Sequence, residues 1–317
     1  MVLFGFRMAI FTAFAMTPLR SHLCSTAILR HRLFSSRNWH YEAPIRSSSN
    51  PVVKEFKIMR KKARKEGIVV LEGHRMVIDA IELGNLVPRL IMVTEDAFEA
   101  PLGDALLGAL KNEAFTDNIR LVHGDIMKSV SETKSPQGVV AVFNRPGRTQ
   151  VLPEGASKIL VLDRIMDPGN IGTLVRTAYG LGWDAVLAIE GVDPFCAKAV
   201  RSSMGSCLTM PIVDSCKWED PQEILSLLQD RPIYMAEADF NSKPHFEADL
   251  KGRCALVIGS EASGISQEAK EAFQGRSAGE LTTIYVPLVR DLESLNAAVA
   301  GAVIMGEATR QGRKPTT

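Results

Sequence analysis

The chain has 317 residues, 46% of them hydrophobic and 23% charged, with a formal net charge of +1. Length and composition suit a globular protein of about two domains, and the balanced charge excludes a global basic field, so a nucleic-acid partner has to be held by local patches. The five cysteines, Cys24, Cys196, Cys207, Cys216 and Cys254, show no C-x-x-C spacing and no accompanying His cluster, which speaks against a metal site or a disulfide framework.

Residues 1–41 carry Arg7, Arg20, Arg30, Arg32 and Arg37 and no acid; the first is Glu42. Arg-rich, Ser-rich and acid-poor describes an organellar transit peptide over residues 1–45. The predicted address is the mitochondrion, with the plastid as runner-up; the apolar run 8–16 is too short to span a bilayer, and no membrane partner is expected. A basic run follows, with Lys54, Lys57, Arg60, Lys61, Lys62, Arg64 and Lys65 interleaved with Val53, Phe56 and Met59 at near-helical spacing. It reads equally as a solvated helix face or as a phosphate-contacting surface, with Lys54, Lys57, Arg60, Lys61 and Arg64 as the candidate RNA contacts.

Residues 68–71, 90–93 and 137–142 read as strands, and 76–83 and 102–111 as helices, the first of them closed by Gly84. Together they make a small α/β domain over 50–143, followed by a linker at 144–157 rich in turn signals. From 158 to 312, apolar strands are predicted at 159–162, 185–189, 209–213, 233–236, 255–258 and 283–288, with helical patterns between most of them. Continuous apolar strands alternating with helices predict a parallel sheet covered on both faces, with ligands bound beyond the carboxyl ends of its strands.

Three loops after predicted strands hold the unusual residues. The first, 163–176, contains Pro168-Gly169, Asn170 placed to cap a helix starting near Gly172, and Arg176 in the first turns of that helix. The second, 258–266, sets the lone carboxylate Glu261 between Gly259 and Gly264; it is neither a dinucleotide fingerprint nor a nucleophile elbow. The third, 286–296, runs from Val286-Pro287-Leu288 to Ser294-Leu295-Asn296, where Ser294 suits an N-cap, and leads into a helix at 297–308 rich in small residues.

In this order the loops resemble the three signature motifs of the SpoU–TrmH RNA 2′-O-ribose methyltransferases of the SPOUT class. Asn170, Gly172 and Arg176 match N-x-G-x-x-x-R; Gly259, Glu261 and Gly264 match G-x-E-x-x-G; Ser294-Leu295-Asn296 match the end of the third motif. Glu72-Gly73 and 137–141 are similar to the family's N-terminal substrate-binding domain, itself similar to ribosomal protein L30e, so the likeness covers roughly 50–312. It is greatest to bacterial and mitochondrial members acting on guanosines of large-subunit ribosomal RNA. The resemblance implies a trefoil-knotted catalytic domain, S-adenosylmethionine held by Gly259, Val286, Leu288 and Leu295, and a homodimer. It also implies a catalytic set in which Arg176 acts at the ribose hydroxyl, Asn170 and Asn296 position it, and Glu261 and Ser294 order the loops. Competing readings are a tRNA methyltransferase of the same family and a non-catalytic RNA-binding assembly factor. The sequence departs from the motif at Arg290, where the family has Gly, at Leu288 in place of Met, and at Ala297-Ala298 in place of a Val-Ser pair.

Overall fold

A computed structural model describes residues 43–313 apart from 85, 112, 147–150, 230, 238–241, 275–279 and 291, and without the side chains of 64, 113, 114 and 116. Residues 1–42 of the expected transit peptide and part of the expected linker, like the Arg64 side chain, therefore lie outside the described residues, whereas Ile45, inside the expected 1–45, pairs with Val122.

The basic run forms helix α1 (Pro51–Lys61), started by Pro51 and by Asn50, whose side chain accepts from the Val52 N–H at 2.9 Å. Val53 and Phe56 are its buried face. A short helix α2 (Ala63–Glu66) ends at Gly67, where φ is +61°. Then come β1 (Ile68–Glu72), α3 (His74–Glu82), β2 (Pro88–Val93), α4 (Gly103–Leu110), β3 (Ile119–Leu121), α5 (Gly124–Val130) and β4 (Val139–Asn144). The sheet order is β1-β4-β2-β3, with β4 antiparallel to both neighbours and β2 parallel to β3. Its core packs Val53 and Phe56 against Ile68, Met92 and Val142.

The second sheet begins with β5 (Lys158–Asp163) and continues through α6 (Pro168–Gly180), β6 (Ala185–Ile189), α7 (Ala197–Ser202), β7 (Ile212–Val213) and α8 (Pro221–Leu227). It is completed by β8 (Ile233–Ala236), β9 (Lys243–Pro244), β10 (Cys254–Ile258), α9 (Gln267–Phe273), β11 (Leu281–Tyr285) and α10 (Ala297–Gly312). All pairings are parallel, in the order β7-β6-β5-β10-β8-β11-β9. β10 thus lies between β5 and β8, and β11 between β8 and β9, each inserted beside strands laid down earlier. β6 and β10 are buried at every position, as the apolar runs require of strands covered on both faces. On one face Trp218 meets Phe273 edge to face at 5.8 Å. On the other, α10 lies so close to α6 that a Cβ at Gly301 would stand 2.4 Å from Leu174 Cδ2.

Four differences from the sequence reading have local causes. β7 keeps only two residues of the expected 209–213, because Ser206–Leu208 forms a 3-10 turn just ahead of it. The strand expected at 283–288 runs instead from Leu281 to Tyr285, which frees Val286 and Leu288 for a loop. β3 and β9 are too short to show a pattern. The connector opens on a buried residue, Arg145, which stacks on the Phe195 ring at 4.0 Å and donates to Asp193 at 2.9 Å and to Asp214. Cys207, Cys216 and Cys254 are buried free thiols, pushed by burial up to about 12, 11 and 11.

Candidate active site

The three motif loops leave the carboxyl ends of β5, β10 and β11. In the first, the cap is Asp167 rather than Asn170: its carboxylate accepts from the Asn170 N–H at 3.0 Å, and Pro168 takes the first helical position. The Lys198 ammonium, 3.0 Å away, and the Asn170 N–H hold that carboxyl below its ordinary range. Asn170 is thereby left in the first turn of α6 with its own amide free. In the third loop the cap is Asn296 rather than Ser294, with Asn296 Oδ1 accepting from the Ala298 and Val299 N–H groups at 3.0 and 3.3 Å. In the second, a Cβ on Gly259 would stand 2.2 Å from the Gly264 carbonyl carbon, and Gly264 has φ +69°. Only glycine fits at 259, the left-handed backbone favours glycine at 264, and the turn closes with Gly264 N donating to Ser260 O at 2.9 Å.

One chain of side-chain hydrogen bonds joins the loops. Asn296 Nδ2 donates to Asn170 Oδ1 at 3.1 Å, and Asn170 Nδ2 donates to Glu261 Oε1. Its direction follows from the Asn296 end: Asn296 has committed its oxygen to the cap, so its amide nitrogen donates to Asn170 Oδ1 and the Asn170 nitrogen is left to meet the Glu261 oxygen. Asn170, Glu261 and Asn296 are thus brought together.

Beside this chain lies a cavity of about 220 Å³. Gly259, Val286, Leu288 and Leu295 line it, as do Glu261 and Ser294, among apolar walls that include Ile258, Ile284 and Ile304. Glu237, which the sequence reading passed over, also lines it; it follows β8 and pairs with Lys270 of α9. Its position just past a parallel strand was the available signal.

Arg176 stands apart. It is exposed on α6, is not among the cavity's lining residues, and is not joined to Asn170 or Glu261 among the described residues. Gly172 is a packing residue, since a Cβ there would come within 2.0 Å of Ser202 Oγ and 2.4 Å of Ala199 O on α7. Arg290 sits at φ +63°, a left-handed backbone that suits glycine, and its side chain is exposed. In the basic run, Lys54 and Lys61 are exposed and Lys57 half-buried, but Arg60 is not a free phosphate contact. Its guanidinium donates to Glu72 and to Val130 O and stacks over Phe56 at 5.2 Å, tying α1 to β1 and α5. Among the described residues no group of three or more His, Cys, Asp or Glu could hold a metal ion, and no helix is long and apolar enough to cross a membrane.

Residues 157–306 match the SpoU rRNA Methylase family, and residues 50–141 match the MRM3-like substrate binding domain. The chain is 29% identical over 264 residues to the 23S rRNA (guanosine(2553)-2′-O)-methyltransferase of Bacillus subtilis, covering 82% of this chain and 97% of that one. To the mitochondrial rRNA methyltransferase 3 of Xenopus tropicalis it is 28% identical over 304 residues, 78% of this chain and 71% of the relative. Among solved structures, an AdoMet-bound rRNA methyltransferase from Sinorhizobium meliloti superposes with a TM-score of 0.70 at 25% identity, over 86% of this chain and 99% of that one.

Proposed function

The chain belongs to the SpoU rRNA methylase family, and from that premise we propose that it methylates a ribose 2′-hydroxyl, on a guanosine of large-subunit ribosomal RNA, using S-adenosylmethionine. The observation that carries this reading is the Asn296–Asn170–Glu261 chain, which ties the three motif loops together at one cavity. The residues present fit the cofactor. Gly259 leaves main chain bare where a Cβ has no room, Ile258, Ile284 and Leu288 offer apolar walls, and Glu237 offers a carboxylate to ribose hydroxyls. When bound, S-adenosylmethionine supplies a methyl group on a positively charged sulfur.

The protein's own work is alignment and charge. The main chain at Gly259, Val286 and Leu295 holds the cofactor, and the relay fixes Asn170 and Asn296 for the ribose, with Glu261 and Ser294 ordering the loops. A guanidinium only donates and offers no lone pair to a proton, so Arg176 serves the reacting oxygen by stabilising the developing alkoxide and gripping the adjacent phosphate, not as a base. Its distance from the relay in one chain supports a homodimer. Tyr179 on α6 and Val299 and Val303 on α10 expose apolar atoms on two helices that pack together. A second copy seated there covers them and brings the partner subunit's Arg176 to the cavity. Insertion of β10 and β11 beside earlier strands supports a knotted chain, and the matched segments support an RNA-binding unit at 50–143, a connector at 144–157 and a catalytic unit at 158–312. The acid-free leader and the mitochondrial relative support an organellar address, the mitochondrion first.

The test is titration calorimetry with S-adenosylmethionine, followed by mapping of 2′-O-methyl sites in organellar ribosomal RNA with and without the protein. Binding and one lost guanosine methylation are expected. No binding at millimolar cofactor overturns the reading, and a lost methylation in tRNA instead moves it to the tRNA branch.

A further inference from the structure

A second cavity, of about 320 Å³, lies between the two sheets' domains, where the loop after β1 and the segment 131–137 meet the end of α7. Its volume falls at the lower end of small-ligand pockets, roughly 300–1,000 Å³. Met76, Met127 and Met204 contribute to its walls together with Pro136. Thioethers pack well on flat aromatic faces. Met204 is held at φ +51°, a conformation costly for a residue with a Cβ, and leaves its side chain half exposed.

The polar groups are equally ordered. Gln137 Oε1 accepts from the His74 N–H at 3.2 Å, and Gly73, at φ +94°, has no room for a Cβ beside that amide. The Gln137 amide nitrogen is then a fixed donor with no partner among the described residues. Glu72 adds no free negative charge to this end of the cavity. Burial alone raises its carboxyl, but the Glu132 N–H, the Ser131 hydroxyl and Arg60 outweigh burial and hold it below its ordinary range. Two guanidinium groups complete the lining: Arg75 from α3, whose Nε donates to Asp79 at 2.9 Å and leaves its two terminal nitrogens for phosphate, and Arg201 from α7, which stands 3.7 Å from the Glu132 carboxylate through one nitrogen only. Lys57 lies one turn before Arg60, so the basic face of α1 leads toward the Glu72 end of the cavity.

Apolar faces, one fixed donor and flanking cations fit a flat heteroaromatic ring with acceptors on its edge and phosphates beside it. We propose that this cavity holds one unpaired nucleotide of the RNA substrate, its base among the three methionines and its phosphates on Arg75 and Arg201, as a reading point separate from the reacting ribose. The proposal rests on the RNA-methyltransferase reading and extends it. Its placement is apt: α7 touches Gly172 of α6 on one side through Ala199 and Ser202 and lines this cavity through Arg201. α7 thus packs on the helix that carries Asn170 and Arg176 while also lining this cavity.

The test irradiates the full chain with ribosomal RNA transcripts carrying 4-thiouridine or 6-thioguanosine and maps cross-linked peptides by mass spectrometry. Cross-links at Met127 and Met204 are expected. Gln137→Ala and Arg201→Glu should each weaken them and raise the KM for RNA about tenfold, with cofactor binding and melting temperature unchanged. Methyl transfer by a wild-type protein that cross-links only at α1 and the motif loops overturns this proposal and leaves the activity standing. Cross-links at the cavity without methyl transfer or cofactor binding do the reverse. An unchanged KM in both variants also overturns it.

Discussion

Asn296 serves two masters, and two substitutions separate them. Its oxygen caps α10 on two N–H groups, and its amide nitrogen starts the relay to Asn170 and Glu261. Asn296→Ala removes both. The lost cap costs about 1 kcal/mol, and the relay bond, exposed at its Asn296 end, adds about 0.5 kcal/mol. The sum, about 1.5 kcal/mol, lowers the melting temperature by roughly 3–6 °C in a chain of this size. Asn296→Asp keeps the acceptor, gains a carboxylate at a helix N-terminus, and so leaves the melting temperature unchanged or slightly higher. It cannot donate to Asn170 Oδ1, however, and if the Asn170 amide turns to meet the new carboxylate it abandons Glu261. Methyl transfer in the Asp variant should therefore fall at least tenfold, the equivalent of about 1.4 kcal/mol, with cofactor affinity near wild type. Differential scanning fluorimetry and transfer from tritiated S-adenosylmethionine read the two effects separately. An Asp variant as unstable as the Ala variant refutes the capping argument; an Asp variant with the wild-type rate refutes the relay.

Arg176→Ala should cut methyl transfer about a hundredfold to a thousandfold while calorimetry shows cofactor binding intact, and Arg176→Lys should fail nearly as badly because it lacks the planar fork. Arg290→Gly should raise stability by about 1 kcal/mol in thermal melts by removing a left-handed backbone penalty, and leave cofactor affinity within about tenfold. Gly259→Ala forces a methyl against the Gly264 carbonyl, so cofactor binding should be lost with a stability cost of about 1–3 kcal/mol. Arg60→Gln should destabilise by about 2 kcal/mol at pH 7 because Glu72 loses its charged partner. Glu72 is held below its ordinary range, so the stability it contributes is present above that range and lost as pH falls through the lowered folded value. The Arg60→Gln deficit in urea melts should accordingly shrink toward acid pH.

The motif residues were legible because their chemistry is local. Asn170, Glu261 and Asn296 could be named because three short loops, in order, resemble the motifs of one family, and the strands of the second sheet at 159–162, 185–189 and 255–258 because their apolar runs are continuous. The caps were legible but misread: Pro168 marks the first helical position and so points to Asp167, and Asn296 directly precedes the helix that Ser294 was expected to cap. Strand order was not legible, because the place of β10 between β5 and β8 is set by long-range pairing that leaves no local periodicity. The role of Arg60 was hidden because its partners Glu72 and Val130 lie 12 and 70 residues along the chain, on other elements, and a basic run looks alike whether its charges are spent or free.

The late arrival of β10 shapes how a newly made chain reaches its working form. While the ribosome is still adding residues, β5 has β6 on one side and nothing on the other, because its second neighbour is residues 254–258. Leu160 and Leu162, buried in the finished protein, belong during that interval to an open strand edge, the kind of surface that pairs with the wrong chain. Parallel partners this distant in sequence form slowly. The cavity waits longer still, since β11, the third loop and α10 complete it. Synthesis interrupted before those residues thus leaves a polypeptide without a cofactor pocket and in need of chaperone cover.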